Sequence, residues 1–259
     1  MIQKLFRSFH ESRVQYLLIS GQASILYGAA TFSEDIDLWI NPTQRNLNAF
    51  IQSLESCHAR AYKLTPPLTN RNFVKGHGFH FTLPGLDGGF FLDVMGKPPR
   101  VGRYEQAEKR ARTIETAWGR LSVVSIEDLV ELKKTRRLLD YEVISNLVRI
   151  SLEEEKSPDP HLVDWALLNT FRAEDIVWIL RTFNPSSIPS RKAVKSALEA
   201  PRDLDIVRRH IFEDIACLQG KDTAYWTPIL KELKRLKSMN QLVPEGMPIA
   251  YPKRRTRHS

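Results

Sequence analysis

Three aspartates stand inside apolar segments of the sequence, where acidic side chains are uncommon. Asp35 and Asp37 flank an isoleucine in DIDLWI, and Asp93 lies within FFLDVM. Residues two apart on a strand point to the same face, so Asp35 and Asp37 would project side by side. Neighbouring carboxylates repel unless a cation joins them, and magnesium is bound by one or two carboxylates together with substrate phosphates. The pattern therefore indicates metal-assisted phosphoryl chemistry, with Asp93 as third carboxylate if its strand lies beside the first.

A small polar turn precedes the acidic pair. Ser20-Gly21 follows an apolar run, and 13 residues separate Gly21 from Asp35. Backbone N–H groups at such a strand-to-helix turn form an anion site suited to a triphosphate, and glycine allows close approach. A lone D-x-D pattern is common on solvated strand edges. The chemical interpretation therefore depends on the ordered set of turn, acidic pair and later embedded acid.

These residues need a small sheet to bring them together. Apolar runs and alternating patterns predict the strands, with short helices before the first strand, at Ala23–Tyr27 and from Thr43 to Ser56. The predicted strands are Val14–Ile19, Asp35–Ile40, Phe79–Leu83 and Phe90–Met95, followed by a hairpin of Arg112–Trp118 and Leu121–Val124. A Pro/Gly/Asp turn is predicted between the third and fourth strands.

From Ser125 onward the prediction is helical. Ser125 is a good N-cap, with Asp128 three residues later, for a helix that runs to about Glu155 and includes Leu138 and Leu139. Further helices are predicted at Val163–Phe171, Ala173–Phe183, Arg191–Ala200, Leu204–Leu218 and Thr227–Lys237. The predicted fold class is α+β, a small mixed β-sheet with flanking helices followed by a helical C-terminal region. We place the two domains at residues 1–125 and 126–259.

Composition and charge narrow the class of protein. The 259 residues are 42% hydrophobic and 26% charged, as in an ordinary globular protein. No apolar run approaches the roughly 20 residues of a membrane helix. Because Cys57 and Cys217 stand far apart and no signal-peptide pattern is found, we expect a cytoplasmic protein without disulfides. Of the net charge of +8, residues 229–259 supply +6, which suggests a basic C-terminal arm for a polyanionic partner, ending in an unfolded tail.

The stretch ISGQASILYGAATFSEDIDLWI resembles the nucleotidyltransferase superfamily related to DNA polymerase beta. The signature of that superfamily is hydrophobic-Gly-[Gly/Ser], a spacer, then Asp-hydrophobic-[Asp/Glu]-hydrophobic. The stretch is similar to the toxin-like branch of AbiEii-type proteins, which typically has G-G-x-A, then a Gly, then R-x-T-x-D-I-D-L. The matching residues are Gly21, Ala23, Gly28, Ser33, Asp35, Ile36, Asp37 and Leu38. Ser20 stands where the first Gly often is, and Thr31 stands where the branch often has Arg.

A second stretch, SIEDLVELKKTRRLLDYEVI, resembles a helix of the same branch with the pattern S-x-E-D-L-x-x-L-K, then R-x-x-D. The matching residues are Ser125, Asp128, Leu129, Lys133, Arg137 and Asp140. The resemblance covers roughly residues 14–147. It implies that Asp35 and Asp37 hold Mg²⁺ or Mn²⁺ and that Asp93 is the third metal ligand and general base. The residues that it implies for nucleotide binding are Ser20, Gly21, Lys133 and Arg137. A solvated helix charge is the alternative interpretation of Lys133, and the resemblance favours the functional one.

We therefore expect an enzyme that transfers a nucleoside monophosphate from a nucleoside triphosphate to an acceptor hydroxyl and releases pyrophosphate. The resemblance and the basic C-terminus favour an RNA acceptor such as a tRNA end, with a cognate antitoxin as partner and no membrane contact. A protein hydroxyl and an aminoglycoside-type small molecule are alternative acceptors. A catalytically silent module that binds nucleotide or another protein is the alternative from a different class, and Thr31 in place of Arg supports it.

Two histidines in GHGFHF, His77 and His80, have a spacing that can suit a metal. They stand on the approach to a strand, and no further ligand pair accompanies them. A polar partner for each histidine is the favoured interpretation, and a base-stacking or substrate role stays open.

Overall fold

A mixed β-sheet forms the centre of the computed structural model, which describes residues 1–85 and 89–250. In this part of the chain the strands are β1 (Tyr16–Ile19), β2 (Asp35–Ile40), β3 (Arg60–Ala61), β4 (Gly78–Leu83), β5 (Phe90–Met95), β6 (Arg112–Thr116) and β7 (Gly119–Val123). Their order across the sheet is β3-β4-β5-β2-β1-β7-β6. The pairs β2–β5 and β1–β7 are parallel, and the other neighbouring pairs are antiparallel. Parallel pairing requires a crossover, so β5 reaches β2 only after the intervening helices and strands.

Helices alternate with the strands along the chain and make up most of it after β7. They are α1 (Ile2–Glu11), α2 (Ser20–Leu26), α3 (Gln44–Ser56), α4 (Asn70–Val74), α5 (Tyr104–Arg110), α6 (Ile126–Lys133), α7 (Leu138–Glu153), α8 (Pro160–Asn169), α9 (Ala173–Thr182), α10 (Lys192–Glu199) and α11 (Leu204–Ser238). This arrangement confirms the predicted α+β class with its helical C-terminal region. Among the described residues, no helix is both long enough and apolar enough to cross a membrane.

The two faces of the sheet differ because successive side chains on a strand point to opposite sides. Phe81 of β4 and Leu92 of β5 are fully buried on one face. The ring of Phe50, on α3, lies 6.1 Å from the ring of Phe81 and 5.8 Å from that of Phe9, on α1. This aromatic cluster attaches the helices to that face. The opposite face carries the half-exposed residues of β2, β4 and β5.

Two compact units make up the chain. The first comprises Met1–Gln22, Ser33–Val124 and the residues from Pro228 onward, and it contains the whole sheet. The second comprises Ala23–Phe32 and Ser125–Thr227 and is helical. Within it, the side chain of Asn146 donates to the carbonyl of Ala29 at 3.1 Å. The division into domains at residues 1–125 and 126–259 stays a prediction.

Several helices differ from the sequence prediction. The helix expected from Ser125 to about Glu155 is two helices, α6 and α7, because Lys134 leaves the helical region with a ψ of 62° and the next turn is organised around Asp140. Leu138 and Leu139, expected among the apolar residues of that helix, are 60% and 80% exposed at the new helix start. The last two predicted helices are one, α11, which continues through Pro228.

Residues 243–249 extend the sheet at its β3 edge. The amide of Ala61 donates to the carbonyl of Met247 at 2.9 Å, and the amide of Ile249 donates to the carbonyl of Ala59 at 2.9 Å. Val243 and Thr65 form a further antiparallel bridge. This part of the basic C-terminal segment therefore belongs to the sheet of the first unit. The predicted unfolded tail, residues 251–259, and part of the predicted turn, residues 86–88, lie outside the described residues.

Candidate active site

A row of polar side chains crosses three neighbouring strands of the sheet. In the parallel β2–β5 pair, Asp37 lies directly opposite Asp93, and in the antiparallel β4–β5 pair, Asp93 lies directly opposite His80. Directly opposed residues share a face of the sheet, and Asp35 shares it as well because it is two residues from Asp37. The structure thus brings together the three aspartates named from the sequence. Their catalytic role stays a prediction.

Asp93 has a defined partner in this row. The Nδ1 atom of His80 donates to the Oδ1 atom of Asp93 over 2.8 Å. The two side chains are 27% and 23% exposed, so the hydrogen bond is partly shielded from water while both groups stay accessible. A histidine in this position orients one carboxylate oxygen and leaves the other to face a ligand. His80 was considered from the sequence for its spacing to His77. Its pairing with Asp93 depends on strand register, which the sequence does not contain.

The surroundings of Asp35 disfavour its charged form. Burial raises the pKa of Asp35 above its ordinary 3.8, and the charge of Asp93 raises it further. Lys63 and His80 act in the opposite direction. A carboxyl held close to other carboxylates on a half-buried surface is a group whose charged form gains from an added cation.

The carboxylate oxygens of the aspartates suit magnesium, although the side chains do not form a complete coordination shell. Within residues 1–85 and 89–250, no group of three or more His, Cys, Asp or Glu side chains is arranged to hold a metal ion. One oxygen of Asp93 is engaged by His80 instead. Magnesium requires only one or two carboxylates when substrate phosphates and water complete its shell. Asp35 and Asp37 meet that requirement in oxygen chemistry and in placement on one face.

The Ser20–Gly21 turn lies at the end of β1, next to the start of the acidic strand. Ser20 has a φ of 59°, a left-handed conformation that favours glycine. A Cβ atom at Gly21 would lie 2.2 Å from the hydroxyl oxygen of Ser33, so only glycine fits there. Ser33 in turn donates to the carbonyl of Asp35 at 3.1 Å, and the side chain of Gln22 donates to the carbonyl of Ser33 at 3.1 Å. The turn therefore fixes the segment that begins β2.

An aromatic and cationic group beside the aspartates was not found from the sequence. Phe91 lies opposite Asp35 in the β2–β5 register, and its ring centroid is 4.8 Å from that of Tyr62. The ammonium of Lys63 lies 4.8 Å from the Tyr62 ring centroid. The alternation of β5 placed Phe91 on the same face as Asp93, but the loop that supplies Tyr62 and Lys63 carries no periodic signal.

Lys133 and Arg137, predicted to bind nucleotide, belong to the second unit. The ammonium of Lys133 lies 3.0 Å from Asp140, and both side chains are 7% exposed. Arg137 contacts the same carboxylate at 3.0 Å, and Thr135 donates a hydrogen bond to it. Burial acts to raise the pKa of Asp140, but Lys133, Thr135 and Arg137 together hold it below 3.8. In this structure Lys133 is an internal partner of Asp140, and its proposed contact with triphosphate stays a prediction.

His77 has a structural environment distinct from that of His80. It is 1% exposed, and its Nε2 atom lies 3.3 Å from Glu232 on α11. Glu232 also pairs with Lys75. The polar partner favoured for this histidine from the sequence is thus present, and the contact attaches the end of α11 to the first unit.

Comparisons with known proteins give limited similarity. No protein-family model matches the chain, and no curated protein sequence matches it. A solved structure of an antigenic nucleotidyltransferase-like protein from Paracoccidioides brasiliensis is similar at a TM-score of 0.47 and 14% identity, over 72% of this chain and 93% of that one. A candidate nucleotidyltransferase from Thermotoga maritima is similar at a TM-score of 0.35 and 15% identity, over 59% of this chain and 86% of that one. At these values neither structure assigns an activity to this chain.

Proposed function

We propose that this protein is a nucleotidyltransferase that transfers a nucleoside monophosphate from a nucleoside triphosphate to an acceptor hydroxyl. The register of β2, β4 and β5 carries the proposal, because it places Asp35, Asp37, Asp93 and His80 on one face of the sheet. The sequence resemblance to the polymerase-beta-related superfamily supports the same chemistry. The adjoining Ser20–Gly21 turn offers backbone N–H groups close to these acids.

Asp93 is the proposed general base. The acceptor oxygen attacks the α-phosphorus, a new P–O bond forms, and the bond to the β-phosphate oxygen breaks to release pyrophosphate. The proton of the acceptor hydroxyl passes to the carboxylate of Asp93. The hydrogen bond from His80 keeps that carboxylate in one orientation before the transfer.

Asp35 and Asp37 are the proposed metal-binding residues, and Asp93 as third ligand belongs to the same proposal. A bound Mg²⁺ or Mn²⁺ would supply Lewis-acid stabilisation of charge on the phosphates. Burial and, after it, the charge of Asp93 raise the pKa of Asp35, and without a cation the negative charge of these carboxylates would also repel a triphosphate. Lys63, beside Tyr62 and Phe91, supplies a positive charge from the protein on the same face.

The acceptor is proposed to be RNA, in a toxin-like setting with a cognate antitoxin as partner and a cytoplasmic location. This rests on the resemblance and on the basic residues 229–259. Deleting residues 250–259 is then expected to weaken RNA binding more than binding of the nucleoside triphosphate. An unchanged RNA affinity would remove the tail from the proposal. A protein hydroxyl and an aminoglycoside-type acceptor are the alternative outcomes of the same assay.

The test is transfer of label from an α-³²P-labelled nucleoside triphosphate, with Mg²⁺, to total RNA, cell protein or an aminoglycoside. Asp35→Ala is expected to abolish labelling. Glu34→Ala is a matched control, since it removes the charge of the adjacent, exposed acid and should retain activity. Equal labelling by Asp35→Ala and the unaltered protein would overturn the proposal. Absence of Mg²⁺-dependent triphosphate binding in calorimetry would favour the silent module.

A further inference from the structure

A cavity of about 470 Å³ in the first unit lies against α1 and the turn between β6 and β7. From α1 it is lined by residues spaced as one helical face, namely Gln3, Phe6, Arg7 and His10. From the turn it is lined by Trp118, and from the start of β7 by Gly119 and Arg120. The volume is within the range of about 300–1,000 Å³ typical of ligand pockets. None of these residues takes part in the proposed reaction.

The cavity and the aspartates lie at opposite ends of β1. In the parallel β1–β7 pair, Leu18 lies opposite Val123, so the turn before β7 extends past the N-terminal end of β1. Asp37 lies opposite Ile19, at the C-terminal end of β1. Any ligand in this cavity is therefore held apart from the proposed reaction centre.

The aromatic wall of the cavity is rigid. The rings of Phe6 and Trp118 are stacked at 6.1 Å with an interplanar angle of 9°. The turn that carries Trp118 is fixed because the amide of Trp118 donates to the Thr116 hydroxyl at 3.0 Å, and that hydroxyl donates to the carbonyl of Gly119 at 2.9 Å. Phe6 is buried and Trp118 is half-exposed. A half-exposed indole held in place in this way can stack on a planar ligand without a large ordering cost.

The charged lining is cationic. It consists of Arg7 and Arg120, and the cavity has no acidic lining residue. Within the described residues, Arg7 makes no ion pair. Arg120 pairs with Glu115, but both side chains are more than 70% exposed, so water screens that pair. The two guanidinium groups belong to different walls, since Arg7 is on α1 and Arg120 is on β7.

A ligand that is both planar and anionic matches these walls. Arginine binds phosphate with its planar fork, and aromatic side chains stack on bases of any identity. A mononucleotide carries phosphate on one side of its sugar, whereas a nucleotide inside a strand has phosphate on both sides. Because cationic groups stand on both walls, we propose that this cavity binds single-stranded nucleic acid, with one base stacked on Trp118 and the flanking phosphates at Arg7 and Arg120.

The test is fluorescence-anisotropy binding of the full-length protein to a labelled single-stranded RNA of about ten nucleotides. Trp118→Ala is expected to weaken binding about tenfold, since stacking on an aromatic side chain is worth about 1–3 kcal/mol per base. Arg7→Ala is expected to lower the slope of log affinity against log salt by about 0.7. Arg45→Ala removes an arginine outside the cavity and is expected to leave the slope unchanged. DNA of the same sequence shows whether the sugar matters.

The result separates this site from the proposed reaction. Trp118→Ala is expected to keep the Mg²⁺-dependent binding of nucleoside triphosphate, so failure of the proposed reaction and loss of strand binding are distinguishable outcomes. Unchanged affinity in folded Trp118→Ala would overturn the proposal, as would AMP that competes as strongly as an unlabelled strand. If Trp118→Ala does not fold, Arg7→Glu together with Arg120→Glu replaces it. Both positions are exposed, and unchanged binding by that variant would also overturn the proposal.

Discussion

Gly21 and Ser33 approach so closely that a Cβ atom at position 21 would lie 2.2 Å from the Ser33 hydroxyl oxygen and 2.7 Å from its Cβ atom. Ser33 is bonded to the backbone of Asp35 and begins the segment that carries the acidic pair. The glycine noted from the sequence as a phosphate-binding feature thus has a second physical reason. It allows one loop to lie against another and so sets the start of β2.

Gly21→Ala is therefore expected to destabilise the protein by about 1–3 kcal/mol, because the new methyl group must displace Ser33. Adding Ser33→Gly removes the obstructing side chain, so the double variant should recover part of the loss. Urea unfolding of the four proteins in a double-mutant cycle measures the coupling. If the two changes in the free energy of unfolding simply add, the contact between Gly21 and Ser33 is contradicted.

The buried Lys133–Asp140 pair gives a prediction about stability. Lys133→Met leaves Asp140 buried with weaker compensation, and we expect a loss of about 3 kcal/mol. Lys134→Met is the matched control, because its pair with Glu131 is more exposed, and it should cost about 1 kcal/mol or less. Chemical denaturation at pH 7 measures both. An equal, small effect of the two variants would show that the internal pair contributes little.

The same pair predicts a pH dependence. The pKa of Asp140 is lower in the folded protein than the ordinary 3.8. Its ionised form therefore stabilises the fold above about pH 4, and this contribution is lost as the pH falls through the folded pKa. The difference in unfolding free energy between the unaltered protein and Lys133→Met should shrink in acid. A difference that stays constant down to pH 2.5 would contradict this assignment.

Asp35 is expected to have the opposite effect on the pH dependence of stability. Its pKa is raised in the folded protein, so the protein loses stability as the pH rises from 3.8 through the folded pKa. Asp93→Asn should lower the pKa of Asp35, and Lys63→Met should raise it. NMR titration of the Asp35 carboxyl carbon in each variant checks both directions, with Glu11→Gln as a remote control. If the pKa of Asp35 moved in the same direction in both variants, the placement of Asp93 and Lys63 around it would be contradicted.

His80 should affect the proposed reaction through Asp93. His80→Ala removes the hydrogen bond that orients the base, so kcat is expected to fall about tenfold or more, while KM for the triphosphate changes little. His80→Asn can place an amide donor near the same position and should recover part of the rate. His58→Ala, at an exposed histidine, should have no effect. Equal rates for His80→Ala and the unaltered protein would leave His80 without this role.

Local sequence signals predicted the elements that carry the aspartates. The bounds of β2 and β5 agree with prediction at both ends, because alternating apolar residues and flanking turns define them. Thr43 and Ser125 cap α3 and α6, each accepting a hydrogen bond from the amide three residues later at 3.3 Å. Such signals depend on a few neighbouring residues and need no knowledge of the fold.

Long-range relationships could not be predicted in this way. His80 faces Asp93 because of the β4–β5 register, and Tyr62 meets Phe91 because a loop folds over the sheet. The break after α6 follows from side chains that bond to Asp140 in the next helix. The first two contacts are tertiary. The third joins residues only five apart, but it depends on side-chain hydrogen bonds that the apolar periodicity does not reveal.

Residues 243–249 pair with β3, so the sheet receives its last hydrogen-bonded segment from a part of the chain far from that strand. The side chain of Arg60 bonds to the carbonyl of Gly246 across 186 residues of sequence. During synthesis, the outer N–H and C=O groups of β3 therefore stay unpaired until residues 243–249 have left the ribosome. An open strand edge can pair with other chains, so this interval is when the nascent protein is most exposed to misassembly.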